Sequence, residues 1–216
     1  MNEKEAKQVV CDAGRRLLKE GLVARTWGNI SVRVDGNTFV ITPSGRTYEE
    51  LTADDIVTIK MDDLSYEGHV KPSSEKGLHA EIYKLRPDVN AVVHTHQMNA
   101  STVAAARTDV PTMDKETEAF IGPSVRVADY ALPGTSKLAK KTAECLEGRN
   151  AALMANHGAV CVGPDMDTAF KISTILETMC EQYIQSRYMT MAHESGPFDI
   201  KRMHRYYLSQ FGRSAE

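Results

Sequence analysis

Asn29-Ile30-Ser31-Val32-Arg33-Val34-Asp35-Gly36-Asn37-Thr38-Phe39-Val40-Ile41 is the stretch whose reading decides the fold. Ile30, Val32 and Val34 alternate with polar residues, Asp35-Gly36 supplies a turn, and Phe39 with Ile41 begins a return strand. That spacing predicts a β-hairpin. A hairpin forces antiparallel pairing, while the remainder of the chain interleaves strands with helices. The expected fold class is therefore α/β, with a mixed or antiparallel sheet covered by helices.

Upstream of the hairpin, Ala6, Val9, Val10, Ala13, Leu17 and Leu18 recur at helical spacing over residues 3–20, and Gly21 is a natural stop. Downstream, residues 56–60 read as a strand. A helix follows from about Ser74 to Arg86, ended by Pro87-Asp88, and then a strand from Asn90 to Thr95. Residues 100–106 read as helix and 125–130 as strand, and Thr135 and Ser136 are candidate caps for a helix to about Glu147. Apolar strands at 151–154 and 159–162 flank Asn156-His157-Gly158, and helices over about 167–191 and after Asp199 close the chain. With no repeat and no Pro/Gly/Ser linker, the 216 residues are expected to form one domain, 1–216.

Composition narrows the function classes. Lys and Arg number 26 against 29 Asp and Glu, a net charge of −3, which argues against a nucleic-acid partner. No apolar run approaches the ~20 residues needed to cross a bilayer, and the charged start leads into no signal-peptide core. Cys11, Cys145, Cys161 and Cys180 form no close pair, so neither a disulfide framework nor a thiolate zinc site is suggested. The expected location is the cytoplasm.

His94-Thr95-His96 carries the sharpest chemistry. Residues two apart in a strand face the same side, so two imidazoles there can converge on one ion. His157 also ends an apolar strand, and three histidines at strand ends make an open zinc site. Glu75, in Lys71-Pro72-Ser73-Ser74-Glu75, reads on its own as a first-turn acid favouring the helix dipole; beside a metal it would be a general base. Ser73 and Ser74, Gly28-Asn29 and Ser44-Gly45 are each ordinary as caps or turns, and each could offer N–H and hydroxyl groups to an anion.

The order of Thr26-x-Gly28-Asn29-x-Ser31, Thr42-Pro43-Ser44-Gly45, Pro72-Ser73-Ser74-Glu75, His94-x-His96 and Asn156-His157-Gly158 resembles the class II aldolase/adducin family, over about residues 5–190. The resemblance implies a three-layer αβα fold around a central, largely antiparallel mixed sheet. It implies one Zn2+ per chain held by His94, His96 and His157, with Glu75 as general base and further zinc ligand. It gives the substrate phosphate to Gly28, Asn29, Ser44, Gly45, Ser73 and Ser74, and the activity to the cleavage of a small phosphorylated ketose into dihydroxyacetone phosphate and an aldehyde. The family's aldolases are four-fold tetramers with active sites at subunit boundaries.

Sister activities (a sugar-phosphate 4-epimerase, a decarboxylase, a dehydratase) and a non-catalytic adducin-like assembly head are the alternatives. Glu75, where the epimerase generally carries Asp, favours the aldolase, and the persistence of the histidines disfavours the assembly head.

The chain departs from the aldolases where they carry a catalytic tyrosine. The segment 111–118 aligns Lys115 there, with Glu118 a second possible acid, although a surface role suits both better. A second tyrosine position, near the C-terminus, falls on Phe211, beside Tyr206 and Tyr207. Arg126 and Tyr130 read as structural, and His69, His79, His193 and His204 as surface or packing residues.

Overall fold

The structure, a computed structural model, describes residues 1–22, 27–193 and 195–211, apart from the side chains of Gln210 and Phe211. Thr26 of the first motif and the Phe211 side chain lie outside the described residues. Asn2 and Glu5 form a capping box at the start of helix α1 (Glu3–Lys19), which turns Ala6, Val10, Ala13 and Leu17 inward.

The hairpin forms as expected from β1 (Asn29–Arg33) and β2 (Thr38–Ile41), with Ser31 opposite Ile41. Strand β3 (Val57–Lys60) pairs antiparallel with β2. After helix α2 (Lys76–Leu85), strand β4 (Ala91–Thr95) pairs antiparallel with β1, setting Asn29 opposite His94. The middle of the chain supplies α3 (Met98–Ala106), β5 (Val110–Pro111), α4 (Lys115–Ile121), β6 (Ser124–Ala128) and α5 (Ser136–Cys145). Strands β7 (Ala151–Met154) and β8 (Gly158–Gly163) form a second hairpin, followed by α6 (Met166–Met191) and α7 (Ile200–Phe211).

The strands form one sheet in the order β3-β2-β1-β4-β8-β7-β6-β5. Its pairings are antiparallel except β6 with β7. Side-chain alternation gives the central strands β1, β4, β8 and β7 two buried faces. Phe39, Val92, Ala152 and Val160 pack under α2 and α5, through Ile82, Tyr83 and Leu138. Ile30, Val32, Ala91 and Val93 pack under α1. Leu153, Ala159 and Cys161 pack under α3 and α6 through Val103, Ile172 and Leu176. Each fully buried Leu, Ile or Phe contributes about 1.5–3 kcal/mol relative to exposure, so all three layers are tied to the sheet. The expected three-layer αβα arrangement is what the chain adopts.

Two elements escape the sequence reading. Residues 110–118 contain β5 and the start of α4, whose first turn is capped by Asp114 accepting the Thr117 N–H. Helix α2 also begins two residues later than expected, leaving Glu75 at its cap position (φ −96°, ψ 15°) rather than within the first turn.

Candidate metal centre

Four elements end at one corner of the sheet. Strand β4 runs out through His94 and Thr95 to His96, the β7–β8 turn carries His157, β1 begins at Asn29, and α2 begins just after Glu75. His94 shares the α2 side of the sheet with Val92, and the two-residue period brings His96 round to the same side. Gly158 makes the turn possible. A β-carbon there would collide with the Thr95 carbonyl oxygen and lie 3.3 Å from His94 Cε1 and 3.4 Å from His96 Cδ2. Only glycine lets the two strands approach this closely. Beyond His96 the chain is locked to α6. Gln97 donates to the Ser173 carbonyl, and the Glu177 carboxylate accepts the Asn99 and Ala100 N–H groups at 2.8 and 2.9 Å.

The three imidazoles converge, each pair of rings edge-to-face with centroids 4.8–5.1 Å apart. Their ligand-capable nitrogens lie within 4.8 Å of one another. His94 Nε2 sits 3.0 Å from His96 Nε2 and 3.2 Å from Glu75 Oε2, and His157 Nε2 sits 3.5 Å from Glu75 Oε1. Ligands about 2.0–2.1 Å from a tetrahedral zinc stand roughly 3.3 Å apart, so these separations suit one small divalent ion.

The protonation pattern points the same way. The Ala159 carbonyl can only accept, so His94 Nδ1 carries the proton at 2.8 Å and its Nε2 presents a lone pair to the centre. Burial lowers the His96 and His157 pKa values, His96 to about 4, with the neighbouring His94 charge the next cause. Both rings are therefore neutral near pH 7, the form a metal takes. Burial pushes the Glu75 carboxyl up. Against that, the hydrogen bond and charge that His94 supplies when protonated, the charge of a protonated His157, and the Asn29 amide hold it well below the usual carboxylate range; with the rings neutral, a cation would supply the positive charge instead. Its buried Oε1 has no hydrogen-bond partner among the described residues. A buried, ionised oxygen facing imidazole lone pairs is satisfied by a cation.

The three loops expected to hold phosphate lie beside this centre and are bound together. Pro43 and Pro72 form an isolated antiparallel bridge, Ser44 N–H donates to the Lys71 carbonyl, and Ser73 N–H donates to the Thr42 carbonyl. The Thr42 hydroxyl accepts from Ile30 N–H, joining the hairpin mouth to the same clasp. Gly28 adopts φ +123°, favoured by glycine, and its carbonyl accepts from Tyr48 Oη at 2.7 Å. Ser73 is buried and accepts the Glu75 N–H, whereas Ser44, Gly45 and Ser74 face solvent.

One expected packing residue has more to do. His79 is fully buried and hydrogen-bonded at both ring nitrogens, to Asn29 Oδ1 and Ser31 Oγ. Its partners lie 48 and 50 residues away, so only the pairing of β1 with β4 under α2 reveals them. His69, His193 and His204 are exposed. Lys115 and Glu118 are exposed on α4, whose main contacts are with α6 and β6. Tyr206 stacks edge-on against Tyr188, and Tyr207 is exposed.

Comparison with known proteins agrees with this geometry. The sequence profile of the class II aldolase and adducin N-terminal domain matches residues 8–184. The chain belongs to the class II aldolase and adducin family. It is 36% identical over 186 residues to the 5-deoxy-D-ribulose 1-phosphate aldolase of Bacillus thuringiensis serovar kurstaki, covering 86% of each chain. It is 37% identical over 172 residues to the 5-methylthioribulose-1-phosphate/5-deoxyribulose-1-phosphate aldolase of Rhodospirillum rubrum, covering 80% of this chain and 77% of the relative. A solved L-fuculose 1-phosphate aldolase superimposes with a TM-score of 0.81 at 32% identity, over 95% of this chain and 96% of that one. This class II aldolase is thus a lyase of the fuculose-phosphate aldolase type. Class II aldolases are metal-dependent, and His94, His96 and His157 form a site that could bind the metal. No described helix is long and apolar enough to cross a membrane.

Proposed function

We propose that this class II aldolase cleaves a small ketose 1-phosphate, a 5-deoxyketose 1-phosphate above all, to dihydroxyacetone phosphate and an aldehyde, using one zinc ion per chain. The observation that carries the reading is the convergence of three imidazoles and one buried carboxylate at the end of β4. The names of the 36% and 37% identical relatives favour a sugar lacking the 5-hydroxyl.

His94, His96 and His157 would hold the ion, with Glu75 a fourth ligand while substrate is absent. When bound, the ion supplies Lewis-acid polarisation of the ketose carbonyl and its adjacent hydroxyl. The loops at Gly28-Asn29, Ser44-Gly45 and Ser73-Ser74 would hold the phosphate through N–H and hydroxyl groups, without adding a cation to compete for the carboxylate. The C3–C4 bond would break as the C4 hydroxyl gives its proton to the ionised Glu75, and the electron pair left on the three-carbon fragment would then take that proton from Glu75 at C3, returning the carboxylate. In the synthetic direction Glu75, held ionised, removes that proton.

We infer also a cytoplasmic, single-domain chain assembled as a homotetramer whose active sites lie at subunit boundaries. Trp27, its ring 6.1 Å from His96, and Met98, two residues beyond His96, are both mostly exposed, which suits a corner that neighbouring copies cover.

The experiment is metal analysis with an assay panel. Purified protein is expected to hold about one zinc per chain and to release dihydroxyacetone phosphate from 5-deoxyribulose 1-phosphate faster than from fuculose 1-phosphate. Epimerisation of ribulose 5-phosphate without any release of dihydroxyacetone phosphate would assign the sister activity instead.

A further inference from the structure

Glu75 reaches the metal corner from a helix end, where no side-chain cap holds it, so something else must fix its carboxylate. The partner is a chain of hydrogen bonds on the α2 side of β1. Asn29 Nδ2 donates to Glu75 Oε2 at 2.9 Å, His79 Nε2 lies 2.5 Å from Asn29 Oδ1, His79 Nδ1 lies 2.6 Å from Ser31 Oγ, and Ser31 Oγ lies 2.7 Å from Tyr83 Oη. Asn29, Ser31, His79 and Tyr83 are all buried.

One end of the chain sets every direction in it. An ionised carboxylate only accepts, so the Asn29 amide nitrogen must face Glu75 and its oxygen must face His79. That oxygen also only accepts, so His79 carries its proton on Nε2 and presents a bare Nδ1. The Ser31 hydroxyl therefore donates to Nδ1 and accepts from the Tyr83 hydroxyl. The neutral ring is anchored by packing as well. Phe39 stacks on His79 at 6.5 Å and 10° between planes, and the Arg33 guanidinium lies over the Tyr83 ring at 4.7 Å. Reversing any member would set two acceptors against each other in a dry interior.

We propose that His79 is a positioning residue for Glu75: by fixing the Asn29 amide it holds the carboxylate in the one orientation that meets the reacting carbon. It touches neither substrate nor the histidine cluster. This deepens the proposed function and rests on it, since Glu75 is the group being positioned. Ser31 and Tyr83 act one step further out, by selecting the tautomer of the His79 ring.

The test combines a spectroscopic and a kinetic readout. Ring nitrogen NMR on the purified protein, with H79Q identifying the resonance, is expected to show His79 protonated at Nε2 and bare at Nδ1; the opposite tautomer overturns the proposal whatever the activity. In kinetics, Gln can put an amide nitrogen where Nε2 stood, whereas Asn reaches only toward Ser31. H79N is expected to lower both kcat and proton exchange on dihydroxyacetone phosphate by on the order of 10–100-fold, with KM and metal content little changed. H79Q is expected to recover most of that loss. A parallel fall of metal content, Tm and kcat in both variants would make His79 merely structural, and an undiminished kcat in H79N would also sink the idea. Should the His79 variants fail to fold, S31A removes the hydroxyl at little cost in volume. It is expected to lower kcat in the same sense by a smaller factor, and unchanged kcat and tautomer there count against the chain. If wild-type protein neither cleaves ketose phosphates nor exchanges that proton, the proposed reaction fails, and the tautomer measurement still judges the hydrogen bonds separately.

Discussion

The corner where β4 ends and the outer faces near α4 and on α7 obey opposite rules. At the corner the polar groups are inside: His94 is fully buried and Glu75 is 7% exposed. On the outer faces apolar groups are outside, with Met113, just before α4, 56% and Leu208 of α7 61% exposed. The three histidines and Glu75 of the corner come from the end of β4, the β7–β8 turn and the start of α2 of one chain. The outer surface displays side chains that a protein leaves uncovered mainly where something else packs on them. The candidate metal site is thus confined to strand ends and a helix start, while the exposed apolar side chains sit on the periphery.

The largest effect should come from breaking the corner itself. H94A removes a fully buried imidazole whose Nδ1 is committed to the Ala159 carbonyl and whose Nε2 faces the other two histidines. Metal content is expected to fall from about one per chain to near zero, and turnover to drop by at least ~10³-fold, as loss of several kcal/mol of charge stabilisation requires. Retained zinc with retained activity would place the metal elsewhere.

Glu75→Gln should separate the two duties at the corner. The amide keeps the shape and the Asn29 side of the chain, so the fold and much of the metal should persist. Proton exchange on dihydroxyacetone phosphate should fall by about 10²–10⁴-fold, the usual worth of a placed acid or base. An E75Q variant that still exchanges the proton would move the base to another residue.

Gly158→Ala should show how tightly the corner depends on its backbone. The added carbon meets the Thr95 carbonyl and crowds both His94 and His96. Overpacking of this kind costs about 1–3 kcal/mol, which for a chain of this size lowers Tm by roughly 2–12 °C. Zinc affinity should weaken as well, because the strand carrying two ligands is the one displaced. Unchanged Tm and zinc affinity would mean the turn has slack that the geometry denies it.

The same contrast explains what could be read in advance. His94 and His96 were legible because a two-residue period puts both on one side of a strand, and His157 because it ends an apolar run before a glycine. The hairpin was legible from alternation and Asp35-Gly36. Glu75 looked like any first-turn acid until resemblance gave it a role, since nothing local says that its carboxylate meets His94 and Asn29. His79 reads locally as a packing residue because its partners come from β1, about 50 residues earlier, through pairing that no local pattern encodes. Helix α4 passed unnoticed because seven residues make too few turns to show a period, even with Asp114 as its cap.

The smallest effects should come from the outer surface, where Lys115 and Glu118 stand at and near the place of the family's missing tyrosine. Both are exposed on α4, whose main contacts are with α6 and β6. As surface residues, K115A and E118A should each change stability by no more than about 0.5 kcal/mol, measured by denaturant unfolding. Turnover on the preferred ketose phosphate should stay within about threefold, the span of a difference under 1 kcal/mol. A tenfold or greater fall in kcat, with Tm, metal content and oligomeric size unchanged, would break the comparison. It would mean that α4 of one copy completes the corner of another, and that the acid on the aldehyde side has moved from a tyrosine to a charged residue on that helix.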